Sequence, residues 1–226
     1  MVKAGIRMTT SIQIRTLATG LPQKIDTVKG EEMITGICKQ PIENAFLSYN
    51  GFNKDDVADK KHHGGPDRAV CLYPAEHYPL WNREFDCLLP PAAFGENLTV
   101  SGLTESEVCI GDIYKVGDAL IQVTQGRIPC NTIDQRLGYP MMKHMIETGF
   151  TGYLCRVVQE GNVRADSKIS LHEKNVHGVT VLEANTTYFH NPKDIEGLRR
   201  VLAIEPLAQD WKNKFGKRLD TALATS

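Results

Sequence analysis

Long apolar runs are missing from the chain. Nothing in its 226 residues approaches the roughly 18 hydrophobic positions that a membrane-spanning helix needs. An excess of one charge is missing too: 26 basic and 27 acidic residues give a formal net charge of −1. That balance excludes a global field recruiting nucleic acid or an anionic membrane, and leaves room only for a local basic pocket. Paired metal-binding cysteines are likewise absent. Cys38, Cys71, Cys87, Cys109, Cys130 and Cys155 lie 16 to 33 residues apart with no C-x-x-C or C-x-H spacing. This argues against a structural zinc site, an Fe–S motif or a thioredoxin-type redox pair. The opening "MVKAGIRMTTSIQIR" has neither the apolar stretch nor the small-residue cleavage site of a secretory signal. The expectation is a cytoplasmic protein whose thiols stay reduced.

What is present is ordinary globular material, 41% apolar and 23% charged, enough for one fair-sized domain with an appendage. The first three quarters read as short strands punctuated by Gly, Pro, Asn and Asp: "SIQIRTLAT", "GEEMITGICKQ", "AFLSYNG", "RAVCLY", "ENLTV", "DIYKVG", "ALIQVTQ" and "TGYLCRVVQEG". Gly117-Asp118 suits a hairpin turn, and "GNV" at 161–163 reads as turning the preceding strand back on itself. Such spacing predicts a mainly β fold, a closed or nearly closed barrel with a few helices. Two helical stretches interrupt it: 74–85, where Pro79 should bend or divide the helix, and 131–149, broken at Gly138–Pro140. In the second, Met141, Met142, Met145 and Ile146 form a stripe that reads as core. After residue 178 the period becomes helical. Asn191 reads as an N-cap, Pro206 as the start of the last helix, and Leu207, Trp211 and Phe215 as an apolar stripe. The expected division is a barrel domain over 1–175 and a three-helix subdomain over 178–226.

Three stretches could carry chemistry. In "KKHHGGPDRAVCLYPAEHY" (60–78), Gly64-Gly65 would let backbone amides approach an anion flanked by cations, or would form a flexible polar turn. Adjacent His62 and His63 make poor joint metal ligands, because neighbouring side chains diverge. In "PPAAFGENLTVSGL" (90–103), Asn97 could fix a ligand or hold an ordinary turn. In "TQGRIPCNTID" (124–134), Pro129 stiffens the backbone before Cys130, which falls at a helix start with Arg127 close by. Helix amides and that cation would lower the thiol pKa and make a nucleophile or soft-metal ligand. A buried structural cysteine is the competing reading, and local physics leaves the two balanced. A Cys/His protease is disfavoured, since no local nucleophile signature occurs.

Taken in order, "HHGGPDRAVCLYPAEHY", "FGENLTVSGLTE", "CIGDIYKVGDALIQVTQ", "RIPC" and "TGYLCRVVQEGNV" resemble the MOSC family, named for the C-terminal domain of molybdenum cofactor sulfurase. The branch most similar is that of stand-alone bacterial proteins with a three-helix tail. The resemblance implies a β-barrel and a molybdenum-molybdopterin cofactor, with Cys130 as the metal ligand and catalytic residue. It implies His63, Gly64, Gly65, Arg68, Asn97 and Arg127 as cofactor-binding residues. The implied reaction is two-electron reduction of an N-hydroxylated small molecule (a hydroxylamino base analogue, an amidoxime or a hydroxylamine). Since no flavin, haem or Fe–S motif is visible, a separate electron-donating reductase would be the partner. An alternative is a sulfur or cofactor carrier that uses Cys130 as a persulfide or cofactor-holding thiol. A third is a phosphate-recognising binding module built on Gly64-Gly65. Two positions depart from the branch: Gly126 stands where proline is common, which should loosen the loop, and Ala165 stands where glycine is common. The tail's Trp211/Phe215 stripe suits closure of the pocket, a homodimer contact or docking of a reductase.

Overall fold

The computed structural model describes residues 11 to 225; the reading of the extreme N-terminus lies outside them. Chain order is β1 (Gln13–Thr19), β2 (Gln23–Asp26), β3 (Glu32–Thr35), β4 (Gln40–Pro41), β5 (Asn44–Ser48), β6 (Gly51–Phe52), α1 (Lys60–His63), a 3-10 turn (Pro66–Arg68), β7 (Val70–Pro74), α2 (His77–Glu84), β8 (Leu98–Ser101), β9 (Ile113–Val116), β10 (Ala119–Gly126), α3 (Thr132–Leu137), α4 (Met141–Thr148), β11 (Tyr153–Gln159), β12 (Gly161–Arg164), β13 (Ile169–Glu173), α5 (Val181–Phe189), α6 (Ile195–Leu202) and α7 (Gln209–Ala224).

Eight strands form one sheet in the order β13-β9-β10-β11-β7-β8-β1-β4. It is antiparallel except between β7 and β8. An isolated bridge from Gln13 to Lys168 draws β1 back toward β13, curling the sheet nearly into a barrel. The alternation of β9 and β10 directs Tyr114, Val116, Ala119, Ile121 and Val123 inward, as a half-buried strand requires. Gly117, at φ +59°, makes the hairpin between them. The "GNV" segment behaves differently from its expected hairpin. β12 pairs with β5, Gly161 opposite Leu47, so the chain leaves β11 to build a second small sheet. Gly161 is wedged against the backbone of Asp118 and Ala119, where a side chain would collide.

Helix α2 is not divided by Pro79. The helix starts at His77 rather than Pro74, which belongs to β7. Pro79 therefore sits in the first turn, where its missing N–H costs nothing. The 131–149 stretch does break in two, and Gly138 closes α3 in the left-handed conformation. Met141 and Met145 are buried with Tyr73, Trp81, Phe94 and Ile133 in a core beneath these helices.

The tail helices begin later than their prolines suggested. Asp194, not Asn191, caps α6, accepting from the Gly197 N–H at 3.0 Å. Helix α7 starts at Gln209, after Pro206, and the Gln209 N–H is satisfied by Asp67 of the 3-10 turn at 3.0 Å. Thr180 and Glu183 form a reciprocal capping box on α5. The stripe of Leu207, Trp211 and Phe215 is wholly buried, in the same core cluster as the barrel's Leu72, Val123 and Tyr153. The connecting segment is tied down as well: buried Asp112 accepts from Lys174 Nζ and from the Asn175 N–H, both at 2.8 Å. Among the described residues no helix is long and apolar enough to cross a membrane.

One core across barrel and tail predicts one cooperative transition. Trp211→Ala should cost about 3–5 kcal/mol, as for other buried aromatic truncations. Urea unfolding followed by tryptophan fluorescence and by circular dichroism should give coincident curves for wild type. A separate early tail transition would contradict the shared core.

Candidate functional site

The end of β10 runs into "GRIPCNT" at the mouth of the barrel. Cys130 lies just ahead of α3, and its carbonyl accepts from the Ile133 N–H at 3.1 Å. The six-residue α3 is not what activates the thiol. Burial pushes the Cys130 pKa up, but hydrogen bonds from the side chains of His63 and Thr132 and the positive charges of Arg127 and His63 outweigh it. The net result is a thiol lowered from 9.0 to about 6, so it is mostly thiolate at neutral pH. By contrast, burial pushes the thiols of Cys71 and Cys155 upward.

Arg127 is the cation of this site. Burial alone would lower its pKa, but the neighbouring Cys71 and Cys130 thiols and the Glu96 carboxyl raise it further. Its Nη1 lies 3.8 Å from Cys71 Sγ, and its backbone N–H donates to the Gly152 carbonyl at 3.0 Å. The turn carrying that carbonyl is held from the barrel side. Glu105, fully buried, accepts from the Gly152 N–H at 2.7 Å, and its other oxygen lies 2.6 Å from His77 Nε2. The His77 ring stacks on Phe150 with centroids 4.2 Å apart.

The glycine pair sits beside this thiolate because α1 ends at His63. Gly65 adopts φ +111°, and a side chain at Gly64 would strike the Lys60 carbonyl, so each glycine is demanded by geometry. Both line a cavity of about 280 Å³ together with Lys61, Arg68, Gln125, Asp210 and Asn213. Arg68 is ion-paired with Asp210 of α7 at 2.7 Å. Its neighbour Asp67 takes two bonds from Arg156, at 3.0 and 2.7 Å, while capping α7. Helix α7 thus forms one wall of the cavity.

The structure brings together Cys130, His63 and Arg127, and sets Gly64, Gly65 and Arg68 in the adjoining cavity wall. Asn97 is elsewhere employed. Its Oδ1 accepts from the Cys71 N–H at 3.1 Å, and its Nδ2 donates to the Ala18 carbonyl and to Asp55 at 3.3 and 2.8 Å. With no polar atom to spare and 3% exposure, it staples β1 to β7 and β8 instead of facing a ligand. Gly126 is also not the flexible link expected of it. A Cβ there would lie 1.9 Å from Asn185 Oδ1 and 3.1 Å from the Trp211 ring, so the residue is clamped under the tail. Sequence inspection passed over Thr132, although a hydroxyl two residues after a cysteine at a helix start can bond it locally. It also passed over Asp67, Glu105, Gln125, Asp210 and Asn213, which reach the site only through tertiary contacts.

Comparison with known proteins accords with this architecture. The MOSC domain model matches residues 59–170, and the model of the YiiM-like three-α-helix domain matches residues 179–222. An uncharacterized protein YflK of Bacillus subtilis is 40% identical over 93% of this chain and 96% of its own length. Protein YiiM of Escherichia coli is 42% identical over 76% of this chain and 79% of its own. The crystal structure of YiiM from Geobacillus stearothermophilus superposes with a TM-score of 0.78 at 31% identity, covering 92% of this chain and 99% of that one. A fungal protein named a reductase, from Gibberella moniliformis, is 38% identical over 64% of this chain, which spans 27% of it. A curled, barrel-like sheet with a helical C-terminal part is therefore the architecture in hand, and the chain belongs to the MOSC domain family. Within that family it is YiiM-like, carrying the three-α-helix domain after the MOSC domain.

The electrostatics predict a distinctive thiol. Alkylation of Cys130 by iodoacetamide, mapped by peptide mass spectrometry, should be half-maximal near pH 6 and slow sharply as pH falls below that value, because the protonated thiol is unreactive. His63→Ala and Arg127→Leu should each move the midpoint upward, toward that of a free thiol. A wild-type midpoint near 9 would refute the assignment.

Proposed function

We propose that the protein is a molybdenum-cofactor-dependent reductase of N-hydroxylated compounds, with Cys130 as the protein ligand to molybdenum. The observation that carries this is a Cys130 thiol whose pKa is lowered to about 6 by His63, Thr132 and Arg127, next to the turn whose Gly64 and Gly65 line the cavity. MOSC domains are associated with molybdenum cofactor binding, and the donor set fits that group. Among the described residues no cluster of three or more His, Cys, Asp or Glu side chains could hold a metal. A metal at Cys130 would therefore take one protein sulfur and draw its other ligands from its own cofactor, as a dithiolene-bearing pterin provides. Ligation requires a deprotonated thiol, and Cys130 supplies one without the loss of a proton at neutral pH.

When bound, the cofactor supplies two-electron reduction of the N–O bond. The chain's own residues bind and orient. Arg127 offsets the negative charge that collects around the thiolate. The Gly65 amide, with Lys61, would offer an anion such as a terminal phosphate a seat in the adjoining cavity, the Gly64 amide being held by the Lys60 carbonyl. Arg68, engaged by Asp210, fixes the tail against that turn, so its contribution to an anion would be shared with this pairing. Electrons would come from a separate reductase. The modest share of the fungal reductase that this chain spans supports reading it as one part of such an electron-transfer arrangement.

Protein from a molybdopterin-competent host should carry about one molybdenum per chain and reduce an amidoxime or a hydroxylamino base analogue with an artificial electron donor. Cys130→Ala should lose both the metal and at least a hundredfold of the activity, since loss of even a residue that only supports a metal ligand costs on the order of 10–100-fold. Stoichiometric metal in Cys130→Ala would sink the ligand assignment. The same thiolate would also suit a persulfide. A labile sulfur adduct at Cys130, with no molybdenum and no turnover, would establish the sulfur-carrier reading instead.

A further inference from the structure

We propose that Asn185, on α5 of the helical tail, is a positioning residue for the Arg127–Cys130 segment, acting through the turn at Gly149–Gly152. The inference rests on reading Cys130 and Arg127 as the reactive pair.

Asn185 is fully buried. Its Nδ2 donates to the Gly149 carbonyl at 2.8 Å and to Thr151 Oγ1 at 3.0 Å. The Thr151 hydroxyl passes the interaction on, donating to the Gly152 carbonyl at 2.9 Å. That same carbonyl receives the Arg127 N–H at 3.0 Å. Two side-chain hydrogen bonds and one backbone bond thus run from the tail to the backbone of Arg127, and a third side-chain bond holds Gly149 of the same turn. The barrel holds the opposite groups of the turn: Glu105 takes the Gly152 N–H, and Tyr73 donates to the Phe150 carbonyl at 3.2 Å. The turn is gripped from two sides, and Asn185 is the grip from the tail.

The other end of the same amide presses on residue 126. Gly126 has no left-handed φ that would call for glycine; its Cβ position is simply taken by Asn185 Oδ1. That oxygen has no hydrogen-bond partner, and an unpaired buried acceptor is unfavourable. Were volume the only requirement, an apolar side chain would fill the place without that penalty. What an apolar residue cannot supply is the pair of donors that Gly149 and Thr151 use. Asn185 therefore braces the strand end before Arg127 by contact and the backbone of Arg127 by hydrogen bonds.

The test is charge-selective alkylation of Cys130 in the purified full chain, with iodoacetate and iodoacetamide compared at one pH and read at Cys130 by peptide mapping. A cation beside the thiolate favours the anionic reagent, so the iodoacetate-to-iodoacetamide rate ratio measures how closely Arg127 attends Cys130. Arg127→Leu sets the lower limit of that ratio. Asn185→Ala and Thr151→Val should each bring the ratio at least halfway to that limit. Thr151→Val keeps the side chain's shape, so it carries the test should Asn185→Ala fail to fold. As a second readout, Gly126→Ala should lower the melting temperature in the wild-type background and less so in Asn185→Ala. An unchanged ratio in both folded variants would show that Asn185 only fills space and would overturn the proposal. If Arg127→Leu itself leaves the ratio unchanged, the paired-site reading fails and takes the proposal with it.

Discussion

A single carboxylate, Asp67, joins the parts of this protein that have to stay in register. One of its oxygens takes both bonds from Arg156 on β11; the other caps α7. Its own carbonyl accepts from Thr124 on β10 at 2.7 Å. The glycine turn, two central strands and the tail helix thus meet at one residue. Because Asp67 sits between Gly65 and Arg68, anchoring it also fixes the turn that opens the cavity beside Cys130. The neighbouring Arg68–Asp210 pair repeats the connection, and both links are only partly exposed, where pairing counts for more than at an open surface.

This clamp explains why the tail shares its interior with the barrel. An apolar stripe on a short helix has to be covered, and α7 covers its own by lying against β10 and α5, with Tyr188, Trp211 and Phe215 in mutual contact. The consequence reaches the site, since Gly126 lies under Trp211 and Asn185. A chain with proline at that position would meet the tail differently. Here the glycine is the imprint of a side chain arriving from sixty residues further on.

Much of the barrel was legible because its strands alternate and its turns carry glycine at positions of positive φ. β9 and β10 are read directly from "DIYKVGDALIQVTQ", and the methionines of α4 from their spacing. The destination of β12 was not legible, since a turn residue such as Gly161 does not reveal which partner the outgoing strand will find. The start of α7 was misplaced for a related reason: the carboxylate that takes its first N–H is Asp67, more than a hundred residues away, and no local signal announces it. Cys130 stood out through Arg127 and Pro129, yet the groups that lower its pKa are the side chains of His63 and Thr132 rather than a helix terminus. Asn97 misled because an asparagine opening a strand just after a glycine turn suits a ligand site and a structural staple equally, and only its three hydrogen bonds decide for the staple.

A cysteine that is mostly thiolate at neutral pH is able to attack peroxide. Cys130 is a free cysteine, and oxidation of a sulfenate formed there on to sulfinate is irreversible without a dedicated repair enzyme. In the proposed role, metal binding and oxidation would compete for the same sulfur. The lowered pKa that would suit Cys130 to the proposed cofactor would also limit how long an empty chain could wait for one.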